Sequence, residues 1–370
     1  MNKTNCFLIL ISFLLFSCGK TKQSELLEIP VDFDQNISLP LSEIVDELII
    51  IDPELTDESL INPDRIRRVF LSENYVIIGE IGQILVFNKD GKFAHPIGSR
   101  GQGPEEYSGL IRSLALDEKN GRLFVNTTSE LLCYDLDGNF IRKARTEPGT
   151  VIDINYVNDK LLLVAEQSGG KDEKGRFIHS VVYRMNDELQ ITDSCTIRNT
   201  YFERPFRTIH PYEYYILPGN SSVFLYHPDI YPNESNPAET VLRDTLYRFE
   251  NNQLVPELKL KFKNNGIGGY GNKIIQLFTM YRSSRYVFAV YGNDVDNIFN
   301  YNYRFCFDTK TGKGYNIQDG YTDYFNNIEK RVSIRPLSTN PDMFCYWHTH
   351  MNPDDLEEPN PTIYIGTLKK

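Results

Sequence analysis

The sequence predicts an all-β protein, a six-bladed β-propeller whose last blade is closed by a strand from the N-terminus. Three observations predict it. A strand–turn–strand unit at residues 87–107, FNKDGKFAHPIGSRGQGPEEY, has a degenerate copy, YDLDGNFIRKARTEPG, beginning 47 residues later at Tyr134, which is a blade-sized spacing. Asp90-Gly91 and Asp137-Gly138 lie between apolar runs, where Asp-Gly is a strong hairpin signal. Aromatic residues make up 12% of the 370, with 23 Tyr and 22 Phe against a single Trp, a bias towards strands.

In chain order, residues 1–17 read as a signal peptide. Lys3 precedes an apolar run at 7–16 that is too short to span a bilayer. Leu15-Phe16-Ser17-Cys18 then looks like a bacterial lipoprotein cleavage site, with Cys18 left to carry the lipid, although Phe16 is bulkier than usual there. Residues 18–28 read as a polar tether and 29–370 as the propeller. The expected location is the cell envelope, as an outer-membrane or periplasm-facing lipoprotein, anchored to the membrane without spanning it. Cys133, Cys306 and Cys345 fall in apolar strand-like runs and read as buried free thiols. With Cys195 they show no zinc spacing, and an oxidised pair is the alternative outside the cytoplasm.

The first blade is expected at 66–71, 75–79, 84–88 and 92–97, and the second at 110–116, 122–126, 131–135 and 139–144. The third is expected at 151–157, 161–165, 179–185 and 189–195, and the fourth at 212–217, 222–226, 244–249 and 254–262. The fifth takes 274–281, 286–291, 301–308 and 313–317. The C-terminal end supplies only 328–336, 343–348 and 362–368. The run LSEIVDELIII at 41–51 is left to complete that last sheet, which removes an open edge from the ring.

The signal, the repeats and above all IGSRGQGPEEY at 97–107 resemble the lipoprotein six-bladed β-propellers related to NHL repeats. In that family a Gly-x-Gly-Pro-x-Glu-Tyr loop follows the first complete blade. Gly101, Gly103, Pro104, Glu106 and Tyr107 match it, while Glu105 stands where a small residue is common. The resemblance implies a fold and a compartment. It implies no reaction.

Connection lengths distinguish two faces. The turns between third and fourth strands are all short, whereas long insertions at 166–177, 227–243, 292–300 and 349–361, with links at 98–109, 196–211 and 264–273, fall on the other face. Loops on a rigid scaffold are where binding usually resides, so recognition is expected there, around the mouth of the central channel. Candidate ligand-binding residues are Arg100, Gln102 and Tyr107 in the glycine loop, Arg207, His210 and Tyr212 in FERPFRTIHPYEYY, and Trp347 and His348. Aromatic platforms beside arginines suit sugars, peptides or carboxylates.

The glycine loop can also be read as purely structural, and that reading is preferred. Gly266-Ile267-Gly268-Gly269-Tyr270-Gly271 matches a dinucleotide fingerprint only formally, because no βαβ unit surrounds it. His348 and His350 lie two apart but have no fixed third metal ligand. The pairs Glu105-Glu106 and Asp354-Asp355 read as solvated, and no nucleophile motif is present. A net charge of −11 with no basic block argues against nucleic acid. The expectation is therefore an anchored propeller with no cofactor that binds an envelope protein, a peptide or a glycan. The alternative is a lactonase- or lyase-like enzyme with a cation such as Ca²⁺ in the channel.

Overall fold

The computed structural model describes residues 26–32, 35–146, 149–173, 175–202, 215–219, 222–227, 244–263, 275–292, 303–326, 328–350 and 358–370. Six blades of four strands stand in a ring, and in the first five the four blade strands lie in chain order from the innermost outwards. Blade 1 is Ile66–Leu71, Tyr75–Glu80, Ile84–Asn88 and Phe93–Pro96, and blade 2 is Ser113–Asp117, Arg122–Asn126, Glu130–Asp135 and Phe140–Arg145. Blade 3 is Thr150–Val157, Lys160–Asp172, Gly175–Met185 and Ile191–Phe202. Blade 4 is Ile216–Pro218, Val223–Leu225, Thr245–Glu250 and Gln253–Phe262, and blade 5 is Gln276–Arg282, Tyr286–Gly292, Tyr303–Asp308 and Lys313–Gln318. Blade 6 is Arg335–Leu337, Asn340–His348 and Thr362–Leu368, completed by Val45–Ile51.

Burial follows from this stacking. Middle strands lie between two neighbouring blades and are apolar on both sides, as in Tyr75–Glu80 and Ile84–Asn88. Outermost strands touch the core with one side only, so Phe140–Arg145 alternates half-buried and exposed residues. The buried apolar residues among those described form six clusters, one at each junction between blades. Phe70, Ile77 and Val86 of blade 1, for instance, meet Leu114, Leu123 and Leu132 of blade 2.

The expected closure is present. Val45–Ile51 pairs antiparallel with Thr362–Leu368, Ile51 opposite Ile363 and Val45 opposite Leu368, while Leu41–Glu43 is a 3₁₀ turn leading into it. The N-terminus does more than was expected. Leu27–Val31 adds a fifth, parallel strand to the outside of blade 4, Leu27 opposite Leu258 and Val31 opposite Phe262. Asn36–Ile37 does the same on blade 5. The chain therefore girdles three consecutive blades, and among the described residues the first strand starts at Leu27, inside the stretch read as tether.

Two further expectations are corrected. Residues 166–177 are expected as a long inserted link between the second and third strands of blade 3. Instead the strands run on, Asp172 opposite Gly175, and with Ile191–Phe202 they form a three-stranded arm beyond the blade. In blade 6 the innermost strand is Arg335–Leu337, whereas Ile328–Val332 folds back on Tyr321–Asp323 as a hairpin in the preceding link. That hairpin buries Tyr321, Ile328 and Val332 against Leu39, Leu41 and Ile44, so its apolar residues pack outside the blade repeat.

The turns between third and fourth strands are short for a packing reason. Each blade twists, which carries this turn towards the preceding blade's outer strand. A Cβ on Gly91, whose φ is 88°, would lie 2.2 Å from the Asp52 carbonyl oxygen, and one on Gly138 would lie 2.9 Å from that of Pro96. Arg142 donates to the Asp187 carbonyl, and Asn252 donates to Asp193 Oδ1 and the Ser194 carbonyl. These turns are wedges between blades, and lengthening them would open the ring.

Candidate functional site

The axis of the ring is closed by polar side chains. Arg68 of blade 1 reaches across blade 2 to Asp153 of blade 3, Nη2 to Oδ1 at 2.6 Å, both groups almost wholly buried. Asp153 Oδ2 accepts the backbone N–H groups of Tyr215 and Ile216 at the entry to blade 4, at 2.9 and 3.1 Å. Asn155 Nδ2 donates to the carbonyls of Ile216 and Ser338, the latter in blade 6 on the opposite side of the ring, both at 3.0 Å. Ser113 Oγ of blade 2 accepts the Ile154 N–H at 3.0 Å. Five blades thus meet at the axis. Burial pushes the Asp153 carboxyl upward from its ordinary pKa, an effect offset in part by the Arg68 charge and the two N–H donors.

Local backbone geometry produces this arrangement. Register slips between Ile66 and Arg68, between Val151 and Asp153, and between Leu277 and Thr279 place a β-bulge in three innermost strands. The residue after each bulge, Arg68, Asp153 or Thr279, is polar and buried. A bulge re-aims the side chain that follows it. Sequence reasoning missed this, although a signal existed: a polar residue inside the apolar part of each innermost strand, Arg68 in IRRVFL, Asp153 in TVIDINYV and Thr279 in QLFTMYR.

These residues do not fit a cation held at the axis. The Asp153 carboxylate already accepts from a guanidinium and two amides, and a metal there would face the Arg68 charge. Among the described residues no group of three His, Cys, Asp or Glu side chains converges. The described cysteines, Cys133, Cys195, Cys306 and Cys345, are free thiols, and burial raises the pKa of each.

In the glycine loop Arg100 and Gln102 are exposed and Tyr107 is buried. Tyr107 packs among Ile97, Ile111 and Leu114, where burial pushes its hydroxyl up to about 12. Glu106 is not solvated as expected. Its carboxylate turns back into the loop, accepting the Gly103 N–H at 2.7 Å and the Ser99 hydroxyl at 3.3 Å. A Cβ at Gly101 would fall 1.8 Å from Glu106 Oε2, so the glycine leaves room for that carboxylate. The anion this backbone nest favours is therefore carried by the chain itself. Tyr134 of blade 2 ties the loop down by donating to the Glu105 carbonyl at 2.7 Å.

Trp347 and His348 lie at the loop-side end of blade 6. Trp347 Nε1 donates to the Pro63 carbonyl at 3.1 Å, and Arg335 lies 4.6 Å from its ring centre, which pins the indole between blades 6 and 1. His348 meets His350 edge to face at 4.7 Å, and His350 Nε2 is 2.9 Å from the Tyr364 hydroxyl. Tyr364 stacks on Tyr346 at 4.6 Å, and Tyr346 donates to the buried Asp323. Asp323 also accepts the Phe325 N–H and the Asn326 amide, which holds the tip of the 321–332 hairpin against blade 6. The tip presents Tyr324 and Phe325, 69% and 52% exposed. Neither aromatic was singled out in the sequence, because nothing local distinguishes them from the many buried tyrosines and phenylalanines.

Arg207, His210, Tyr212, Cys18 and the glycine-rich stretch 266–271 lie outside the described residues. So do most of the insertions at 227–243, 292–300 and 349–361. Among the described residues, two cavities are large enough to hold a small ligand. One of about 440 Å³ lies between blades 3 and 4 and is lined by Cys195, His227 and Tyr247. The other, about 360 Å³, lies on the short-turn side, where Arg248 and Arg282 both pair with Glu257.

The fold and these sites define a six-bladed propeller whose innermost strands are cross-linked at the axis by polar side chains. The chain belongs to the family described as domain of unknown function DUF4934, which spans residues 26–363. It is similar in structure to a Bacteroides fragilis protein described as exported, with a TM-score of 0.63 and 18% identity over 93% of this chain and 100% of that one. Fainter likenesses are a Bacteroides caccae protein of unknown function (TM-score 0.43, 12% identity, covering 79% of this chain and 90% of that one) and the Neurospora crassa Pan2 WD40 domain (TM-score 0.41, 9% identity, covering 85% and 80%). Comparison with curated proteins finds no match.

Proposed function

We propose that this chain is a lipid-anchored propeller of the cell envelope, of the kind related to NHL repeats, that binds a protein, peptide or glycan partner through its loop-rich face. The observation that carries the reading is the adjacent pair Tyr324 and Phe325. They stand exposed at the tip of a hairpin that the blade repeat does not require. Aromatic rings left in water on a rigid mount favour a partner that stacks on them. The mount is rigid because Asp323, Asn326 and Tyr346 bond one another beneath it. The hydrogen-bonded axis favours a site at the rim of that face over the channel mouth expected in the sequence.

The test is to screen the mature protein and a Tyr324→Ala/Phe325→Ala variant against peptide and glycan arrays and an envelope extract. The expected result is a bound class that the double variant loses by tenfold or more, since two aromatic anchors are each worth about 1–3 kcal/mol at an interface. Binding that survives the double substitution unchanged would remove the hairpin from the site.

A further inference from the structure

We propose that the cavity between blades 4 and 5 on the short-turn side is a binding site for a neutral, hydroxyl-rich ligand, a short saccharide. It is a second site, separate from the loop-rich face, and it does not depend on what that face binds. Three observations carry it.

The first is charge balance. The cavity holds about 360 Å³, within the range of about 300–1,000 Å³ usual for small-ligand sites. Arg248, Glu250 and Glu257 of blade 4 and Arg282 of blade 5 line it, two guanidinium groups against two carboxylates. Their formal charges cancel. A free anion or cation therefore gains little by entering, while the walls stay strongly polar.

The second is unspent bonding capacity. Glu257 takes Arg248 Nη1 on one oxygen at 2.7 Å and Arg282 Nη1 on the other, and Arg248 Nε donates to Glu250 at 3.1 Å. An arginine that only clamps blades together is used up by the clamp. Arg285 is such a case, with Nε and Nη2 on Asp308 and Nη1 on the Lys370 carbonyl. Among the described residues Arg248 Nη2 and Arg282 Nε and Nη2 have no such commitment, and Glu250 keeps a second oxygen to accept with. A sugar hydroxyl donates and accepts at once, so it bridges a guanidinium N–H and a carboxylate oxygen that stand side by side.

The third is that the site is held in shape without a ligand. The Glu257 bridge fixes both arginines, and the Arg282 guanidinium lies 5.9 Å from the ring centre of the buried Phe224. The turns beside it are fixed as well. The Gly219 N–H donates to the Ser222 carbonyl at 2.7 Å, and the Ser284 N–H donates to Asp342 at 2.6 Å. Groups already in place lose little freedom when a ligand arrives.

The test presents the mature protein with a library of neutral mono- and disaccharides in saturation-transfer NMR, with inorganic phosphate and acetate as anionic probes. Ser222→Trp fills the cavity from a half-buried turn. Glu250→Ala removes an acceptor whose side chain is 51% exposed, so it decides the matter should the tryptophan variant not fold. The expected result is a neutral saccharide whose affinity falls about tenfold or more in both variants. That affinity should be unchanged in Tyr324→Ala/Phe325→Ala and between about 0.05 and 0.5 M salt. Saccharide binding that survives both cavity variants would put the sugar elsewhere and overturn the proposal. So would the failure of every saccharide to bind up to about 10 mM, ten times a millimolar Kd. Phosphate or acetate binding that strengthens in Glu250→Ala and weakens with salt, with no saccharide bound, would make this an anion site instead.

Discussion

The glycine loop at 98–107 and the axis of the ring are opposites in what they show to a reader of the sequence. The loop is conspicuous, with three glycines, a proline and an arginine in ten residues, and it invites an anion. In three dimensions its own Glu106 is that anion, and Tyr107 is a core residue. The axis is inconspicuous, with a few polar residues scattered inside apolar strands. Yet Arg68 and Asp153 join blades two apart in the ring, and Asn155 reaches the opposite blade. Local glycine patterns report what the backbone must do nearby. They say little about which side chains meet after five inter-blade crossings.

Substitutions can break or sharpen that contrast, and the largest effect is expected at the axis. Arg68→Met leaves a buried carboxylate facing apolar atoms and should cost about 3–5 kcal/mol in urea unfolding. Arg68→Met with Asp153→Leu should recover much of that loss, because an apolar replacement of a buried pair is often neutral. If the single variant unfolds like the parent, the axial pair is not what holds these blades in register.

Gly91→Ala comes next. Its left-handed φ and the Asp52 backbone 2.2 Å away leave no soft way out, and a loss of at least about 2 kcal/mol is expected by thermal unfolding. Gly101→Ala should cost less, about 1–2 kcal/mol, since the obstructing atom is the end of a side chain and the loss is mainly the Glu106–Gly103 bond. A Glu106→Ala background should remove most of that cost. If it does not, the glycine serves some other purpose.

A peripheral ion pair provides the control for the axial one. Asp308 is held well below the ordinary carboxylate range by the Arg285 guanidinium, which grips it with two bonds of 2.9 and 2.7 Å. Because the folded-state pKa is depressed, the pair's stabilisation is complete above the unfolded value near 3.9 and is lost as pH falls below it. Asp308→Asn should therefore destabilise by about 1–2 kcal/mol at neutral pH and by progressively less towards pH ~3, as read from urea midpoints. The smallest stability effect belongs to Tyr324→Ala, within about 0.5 kcal/mol of the parent, because the ring is mostly in water. A larger loss would mean the tip is part of the core and not a free surface.

Much of the architecture was legible because it depends on periodicity. Twice-buried middle strands, alternating outer strands and Asp-Gly turns can be counted along the chain, and the missing strand in the last sheet pointed to the run at 41–51, of which 45–51 pairs. The long arm of blade 3 was not legible. Glycines and charges in EQSGGKDEKGRF suit a loop as well as an extended hairpin, and only pairing partners distinguish the two. The role of 27–31 was hidden for a similar reason, since five residues carry no period and take their strand form from the edge of blade 4.

By itself, then, the sequence determined the blade unit and the way its two ends close the ring, because both follow from short-range alternation and turn chemistry. The axial plug, the wedged turns, the N-terminal girdle and the exposed pair Tyr324–Phe325 were decided by tertiary structure. Each depends on which atoms are brought within a few ångströms by blades distant in sequence, and no local pattern encodes that proximity.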